Sequence, residues 1–225
     1  LAPESIRVLQ NGITLHIIDS GTTEVCRIGI ALPGGTAESP RPGLLDAVAL
    51  MLPEGSEQTP GQRMSDILES NGAWCGSSVT SHHTLINVFC TCSAFPAILP
   101  MAKEMAFSPA FEPEAASRIL HLQSSRAAVS RCKVGFRASA ALKPVIYGED
   151  NPIAMMPTPE DILTFTTEEM REAHNSRLDP TKIHIFLAGR IDDTMIEGVV
   201  RKFASIPQSA EFSPVTLRFP DITAP

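Results

Sequence analysis

Six histidines and five cysteines are the side chains in this 225-residue chain best suited to metal or nucleophilic chemistry. Their spacing limits what they can do. His82 and His83 are neighbours on or beside a strand, so on a regular strand they point to opposite faces and cannot share one metal without a turn between them. The plainer role is a polar hairpin end. His16 and His184 fall in strand-like runs and read as hydrogen-bonded sheet residues. His121 falls in a long helical run, and His174 in a shorter one. The cysteines are Cys26, Cys75, Cys90, Cys92 and Cys132, an odd number with no C-x-x-C pair. Cys90 and Cys92 alternate on an apolar strand and share a face, a poor geometry for a disulfide. They read as small buried hydrophobes. No G-x-S-x-G elbow occurs, Gly34-Gly35 is too short for a phosphate loop, and there is no G-x-G-x-x-G or Walker pattern. A Ser–His–Asp or Cys–His site assembled in space stays open at this stage. From Ala115 through Gly148 there is no Asp or Glu, while Arg118, Arg126, Arg131, Lys133, Arg137 and Lys143 all fall there. That run is either two amphipathic helices with solvated basic faces or a basic surface for an acidic partner.

The elements that must position these groups follow from hydrophobic period and punctuation. Ile6–Val8 and Thr14–Ile18, separated by Asn11-Gly12, predict a hairpin. Val25–Leu32 predicts a third strand ending at Pro33-Gly34-Gly35. Gly43–Leu52 is too densely apolar for an exposed helix and reads as a short buried one. Thr59 to Gln62 looks like a capping box with Pro60 at the first helical position, opening a helix that stops at Asn71-Gly72. Ala73–Thr80 and Thr84–Thr91 predict a second hairpin joined near His82. Helices are expected over Phe95–Phe107, Glu114–Arg131 and Val134–Ile146, and from the capping box Thr166-x-x-Glu169 to near Arg177. Ile183–Ala188 predicts a strand, Asp193 a cap for a helix carrying Met195, Ile196, Val199, Val200 and Phe203, and Val215–Phe219 an edge strand. Hairpins come first and helices gather later, which favours an α+β fold.

Composition sets the frame. Hydrophobic residues make up 43% and charged residues 19%, which excludes disordered and fibrous classes. The net charge of −7 argues against a nucleic-acid partner. No stretch approaches ~18 uninterrupted apolar residues, so no membrane span is expected. The chain begins at Leu1 with no targeting pattern.

Five segments together resemble one family, the insulinase-like (pitrilysin, M16) metallopeptidases. They are Leu9–Leu15, Gly35–Glu38 with Pro42–Leu44, Met51–Ser56, Pro109–Phe111, and Tyr147–Pro152 with the strand ending at Leu187–Gly189. The resemblance implies a LuxS/MPP-like metallohydrolase sandwich, a mostly antiparallel sheet with helices packed on one face. In that family an H-x-x-E-H helix supplies two zinc-binding imidazoles and a general base. A Glu on a later helix supplies the third ligand. Matched through Gly43 and Gly55, this chain has Asp46 for the first His, Ala49 for the Glu and Leu50 for the second His. The acid-free run covers the later helix, and His121 lies near the place of the third ligand. Asp46 is either a solvated or paired carboxylate or a relic polar group facing the cleft.

The expectation is therefore a kept scaffold without its chemistry: no catalytic residue, no metal and no cofactor, where active relatives hold zinc. The resemblance casts residues 1–207 as the N-terminal domain of an inactive half, with 208–225 as edge strand and linker towards a second domain. The implied partners are a catalytic M16-like subunit or the second half of the same chain, with peptide bound between halves. A scaffold role like that of respiratory-complex core proteins is the second expectation, and a hydrolase with a relocated site the third. The implied compartment is the bacterial periplasm.

Overall fold

The computed structural model describes residues 4–208, 210–217 and 219. The chain starts with the hairpin β1 (Glu4–Val8) and β2 (Thr14–Asp19), followed by β3 (Val25–Pro33) and the buried helix α1 (Leu44–Met51). Helix α2 (Gly61–Ser70) leads to a second hairpin, β4 (Trp74–Val79) and β5 (His83–Thr91). Helices α3 (Phe95–Phe107), α4 (Pro113–Arg131), α5 (Val134–Tyr147), α6 (Pro159–Ile162) and α7 (Thr167–Asn175) come next. Strand β6 (His184–Gly189) and helix α8 (Asp193–Phe203) complete the described elements.

The strands form one sheet in the order β1-β2-β6-β3-β5-β4. All neighbours are antiparallel except β2 and β6, which run parallel from Thr14↔His184 to Asp19↔Gly189. Alternation sorts the faces. Leu15, Ile17, Cys26, Ile28, Ile30, Ile86, Val88, Ile185 and Leu187 are buried and join the helix residues in one hydrophobic core. His16, Phe186, Arg27, Asn87 and Phe89 lie on the opposite, partly exposed face. This is the expected α+β sandwich with helices on one side.

Local chemistry explains the boundaries, including four departures from expectation. The Thr59–Gln62 capping box does not form: α2 starts after Pro60 with no side-chain cap, and Gln62 instead donates to Asp66 at 3.0 Å. Thr59 is buried in a short loop, where its N–H donates to the Ser56 hydroxyl and its carbonyl accepts from the Ser56 N–H. The cap of α8 is Asp192, one residue earlier than predicted, whose carboxylate accepts from the Met195 N–H at 2.8 Å. A capping box absent from the prediction, Thr158 with Asp161, opens α6. Residues 210–217 and 219 carry no strand, so the edge strand expected at Val215–Phe219 is absent there. That segment instead runs past Tyr147–Pro152. Residues 209, 218 and 220–225, and with them most of the expected linker, lie outside the described residues. The Thr166–Glu169 box forms as expected, as does the end of α2, where the Gly72 N–H bonds the Glu69 carbonyl at 3.0 Å.

Candidate functional site

Helix α1 carries Asp46 and Leu50 on one stripe, with Gly43 at its N-cap below them, because residues four apart share a helix face. Helix α4 carries Gln123, Arg126, Ala127 and Ser130 on another. The two stripes face each other across a cavity of about 330 Å³ closed by Phe136 of α5, Met156, Pro157 and Ile162. Gly43 has φ +81, a left-handed conformation that lets the chain turn into α1, and a Cβ there would stand 2.6 Å from the Pro157 ring. Arg131 holds the far wall by donating to the Pro157 carbonyl at 2.8 Å.

The polar groups of this cavity are short of partners. Asp46 and Arg126 make no ion pair with each other or with another described residue, and the Ser130 hydroxyl makes no hydrogen bond. The Gln123 Oε1 and the Arg131 Nε are buried without a hydrogen-bond partner. Buried polar atoms are normally satisfied, so such a group of unmet donors and acceptors marks a place for water or ligand. Asp46 is exposed to the open side, yet crowding by the cavity walls pushes its carboxyl up from the usual range, with Lys143 pulling the other way.

The cavity lies where the resemblance puts a zinc site, and its donor set does not fit zinc. Zinc takes imidazole, thiolate and carboxylate ligands, about three from protein in a catalytic site. Here the facing stripes offer one carboxylate, one amide, one hydroxyl and a guanidinium cation. Ala49, which the resemblance matches to the general base, is buried at 2% exposure and does not line the cavity. Among the described residues no three His, Cys, Asp or Glu side chains stand close enough to share a metal ion.

The histidines are spread over the fold. His16 and His184 meet across β2 and β6, with Nε2 and Nδ1 2.9 Å apart, and His16 Nδ1 contacts Glu4 at 2.6 Å. Burial holds His184 below the ordinary histidine pKa, with His16 and His83 adding to the effect. His82 Nδ1 pairs with Glu38 at 2.9 Å. His121 lies on a different groove, beside Leu163 and Phe165. His174 is fully buried against Phe111, and burial pushes its pKa down to about 3. Among the described residues no Ser, Thr or Cys side chain is hydrogen-bonded to a histidine ring, the Thr80 hydroxyl meeting His83 only at its backbone, so no nucleophile–base pair is assembled. Cys26 and Cys90 face each other in the core with Sγ atoms 3.6 Å apart, while Cys92 is only partly buried.

Sequence reasoning placed Asp46 and Leu50 at this position but did not foresee Gln123, Ser130, Phe136, Met156 or Ile162 as its other walls. The period-3.6 stripe 123, 126, 127, 130 was available in the sequence; which partner it faced was not.

No family model matches the sequence, and no curated protein matches it. Solved structures do. A peptidase M16 inactive domain from Pseudomonas fluorescens superposes with a TM-score of 0.85 at 15% identity, over 96% of this chain and 54% of that one. The first half of the periplasmic protease PqqL from Escherichia coli gives 0.83 at 14%, over 96% and 49%. Pitrilysin gives 0.83 at 14%, over 96% and 24%. The chain thus spans between a quarter and about half of the structures it matches. Its architecture is the insulinase-like M16 peptidase fold.

Proposed function

We propose that this chain is a non-catalytic M16-like domain that binds extended peptide and forms part of a chamber wall beside a catalytic zinc-peptidase subunit or half. The observation that supports this reading is the cavity between α1 and α4, whose lining of Asp46, Leu50, Gln123, Arg126 and Ser130 does not make a zinc-binding set. A domain of this fold can still hold a peptide through its sheet. Among the described residues strand β4 is an edge strand, paired only with β5, and α1 packs against it. Thr80 pairs with His83 by hydrogen bonding, so alternation turns the N–H groups of Cys75, Ser77 and Val79 away from β5. An open row of this kind accepts a peptide as an added strand. The compartment assigned is the bacterial periplasm, in keeping with the location of the matched Escherichia coli protease.

Trp74, the only tryptophan, sits on β4 at 63% exposure and reports on that edge. Titration with an extended apolar peptide is expected to change its fluorescence. Ser77→Pro removes one outward N–H without breaking the β4–β5 ladder and is expected to weaken binding at least tenfold. Metal analysis of the purified chain is expected to find less than a tenth of an equivalent of zinc. A stoichiometric zinc ion, or hydrolysis of peptide by the chain alone that a point variant abolishes, would overturn the reading.

A scaffold role is the second reading. It is favoured by α5, which has no buried residue and leaves Val134, Leu142 and Val145 more than half exposed. Capture of a partner with no peptidase motif from native extract would select it.

A further inference from the structure

We infer that the cavity between α1 and α4 is a receptor for a carboxylate borne on a single apolar residue, such as the C-terminal residue of a peptide. This rests on the peptide-binding reading above and names the group that reading leaves unspecified.

Size comes first. At about 330 Å³ the cavity is at the small end of ligand sites, which run from ~300 to ~1,000 Å³. It takes one or two residues, not a long segment. Leu50, Ala127, Phe136, Met156 and Ile162 supply apolar walls for a side chain. The α4 side supplies the donors: the Arg126 guanidinium and, one turn on, the Ser130 hydroxyl, neither engaged by a described residue. A guanidinium presents parallel N–H groups that match a carboxylate. Of the other cations in the acid-free run, Lys143 is near enough to act on Asp46, while Arg131 is engaged by the Pro157 carbonyl and faces Asp161. Asp46, the one carboxylate on the lining, stands on the opposite helix, where it can accept the backbone N–H of a bound residue. Gln123 offers a buried acceptor alongside.

The test is calorimetric titration of the purified chain with N-acetyl-leucine and N-acetyl-leucinamide, then with a short leucine-ending peptide as free acid and as amide. The acids are expected to bind at least tenfold more tightly than the amides. Arg126→Gln, at an exposed position, is expected to reduce acid binding to the amide level with an unchanged thermal melt. Ser130→Ala is expected to weaken it severalfold. Binding of both acids identifies a peptide terminus as the source, and binding of N-acetyl-leucine alone identifies a free carboxylic acid. Equal binding of acid and amide, no binding of either acid, or acid binding that survives Arg126→Gln overturns the inference. The edge reading fails separately. If an amidated peptide still perturbs Trp74 while acid preference is missing, only the carboxylate receptor is lost. If acid preference is intact while Trp74 is silent, only the edge strand is excluded.

Discussion

Arg177 shows how one side chain fixes a turn. Its guanidinium is buried and donates to the Gly34 carbonyl and the Thr84 hydroxyl at 2.9 Å each, while Nε donates to the Ala173 carbonyl at 2.7 Å. Burial lowers its pKa to about 10, so it keeps its charge at neutral pH. Gly34 has φ +87, and a Cβ there would stand 2.5 Å from the Arg177 side chain. The glycine and the arginine therefore require one another. Arg177→Met leaves buried acceptors unmet and is expected to cost about 2–4 kcal/mol in urea unfolding; a loss below about 1 kcal/mol would refute this role. His174, three residues earlier and inside α7, sets a pH dependence. Neither ring nitrogen has a hydrogen-bond partner, and its folded pKa of about 3 lies below the ordinary 6.5. The unfolded chain therefore takes up a proton below pH ~6.5 that the folded chain refuses until about pH 3. Stability from this group is complete above that window and falls by about 1.4 kcal/mol per pH unit inside it. His174→Leu is expected to flatten the decline measured by urea unfolding between pH 7 and pH 4.

At the scale of elements, α1 shows what a carboxylate at the position matched to the general base would meet. Leu44, Leu45, Ala47, Val48, Ala49 and Met51 are all buried, leaving only Asp46 and Leu50 with accessible surface. A glutamate at position 49 would enter the core, where an ionised group is expensive. Ala49→Glu is expected to destabilise the fold by about 3 kcal/mol or more in urea, and to be better tolerated at acid pH, where the new carboxyl is neutral. A neutral effect at pH 7 would mean that the helix rotates to place residue 49 in the cavity. The same helix measures what could be read in advance. Its dense apolar run announced a buried helix, and the strands, α3, α4 and α5 were legible from alternation and from Pro and Gly punctuation. Caps were less so: Thr59 has the right residue type but is tied into its own loop, and Asp192 and Asp193 both have cap chemistry with only backbone geometry to choose between them. The cavity was half legible. The α1 side rested on matched positions, while the α4 side required the crossing of two helices that share no local signal. Residues 210–217 were expected to include an edge strand and carry none, running instead past Tyr147–Pro152.

At the scale of the molecule, charge is unevenly distributed. Residues 115–148 carry six Lys and Arg with no acid, while the rest carries twelve against 25 Asp and Glu. The basic run covers α4 and α5, and α5 packs mainly on α4 and buries no residue. Low contact density predicts local opening well below the global unfolding free energy. Amide exchange in α5 is therefore expected to run at least a hundredfold faster than in β3 and β5; equal protection would show that α5 is held as firmly as the sheet. The sheet carries a different consequence. Its last strand, β6, lies between β2 and β3, which follow each other in the chain but do not pair. Among the described residues, the opening hairpin is joined to the rest of the sheet only through residues 184–189. A nascent chain leaving the ribosome therefore holds two unjoined sheet fragments, with bare edges, until most of it has been synthesised. Cooperative folding must wait for that central insertion, and any truncation before residue 184 leaves those fragments as sticky halves for a chaperone to shield.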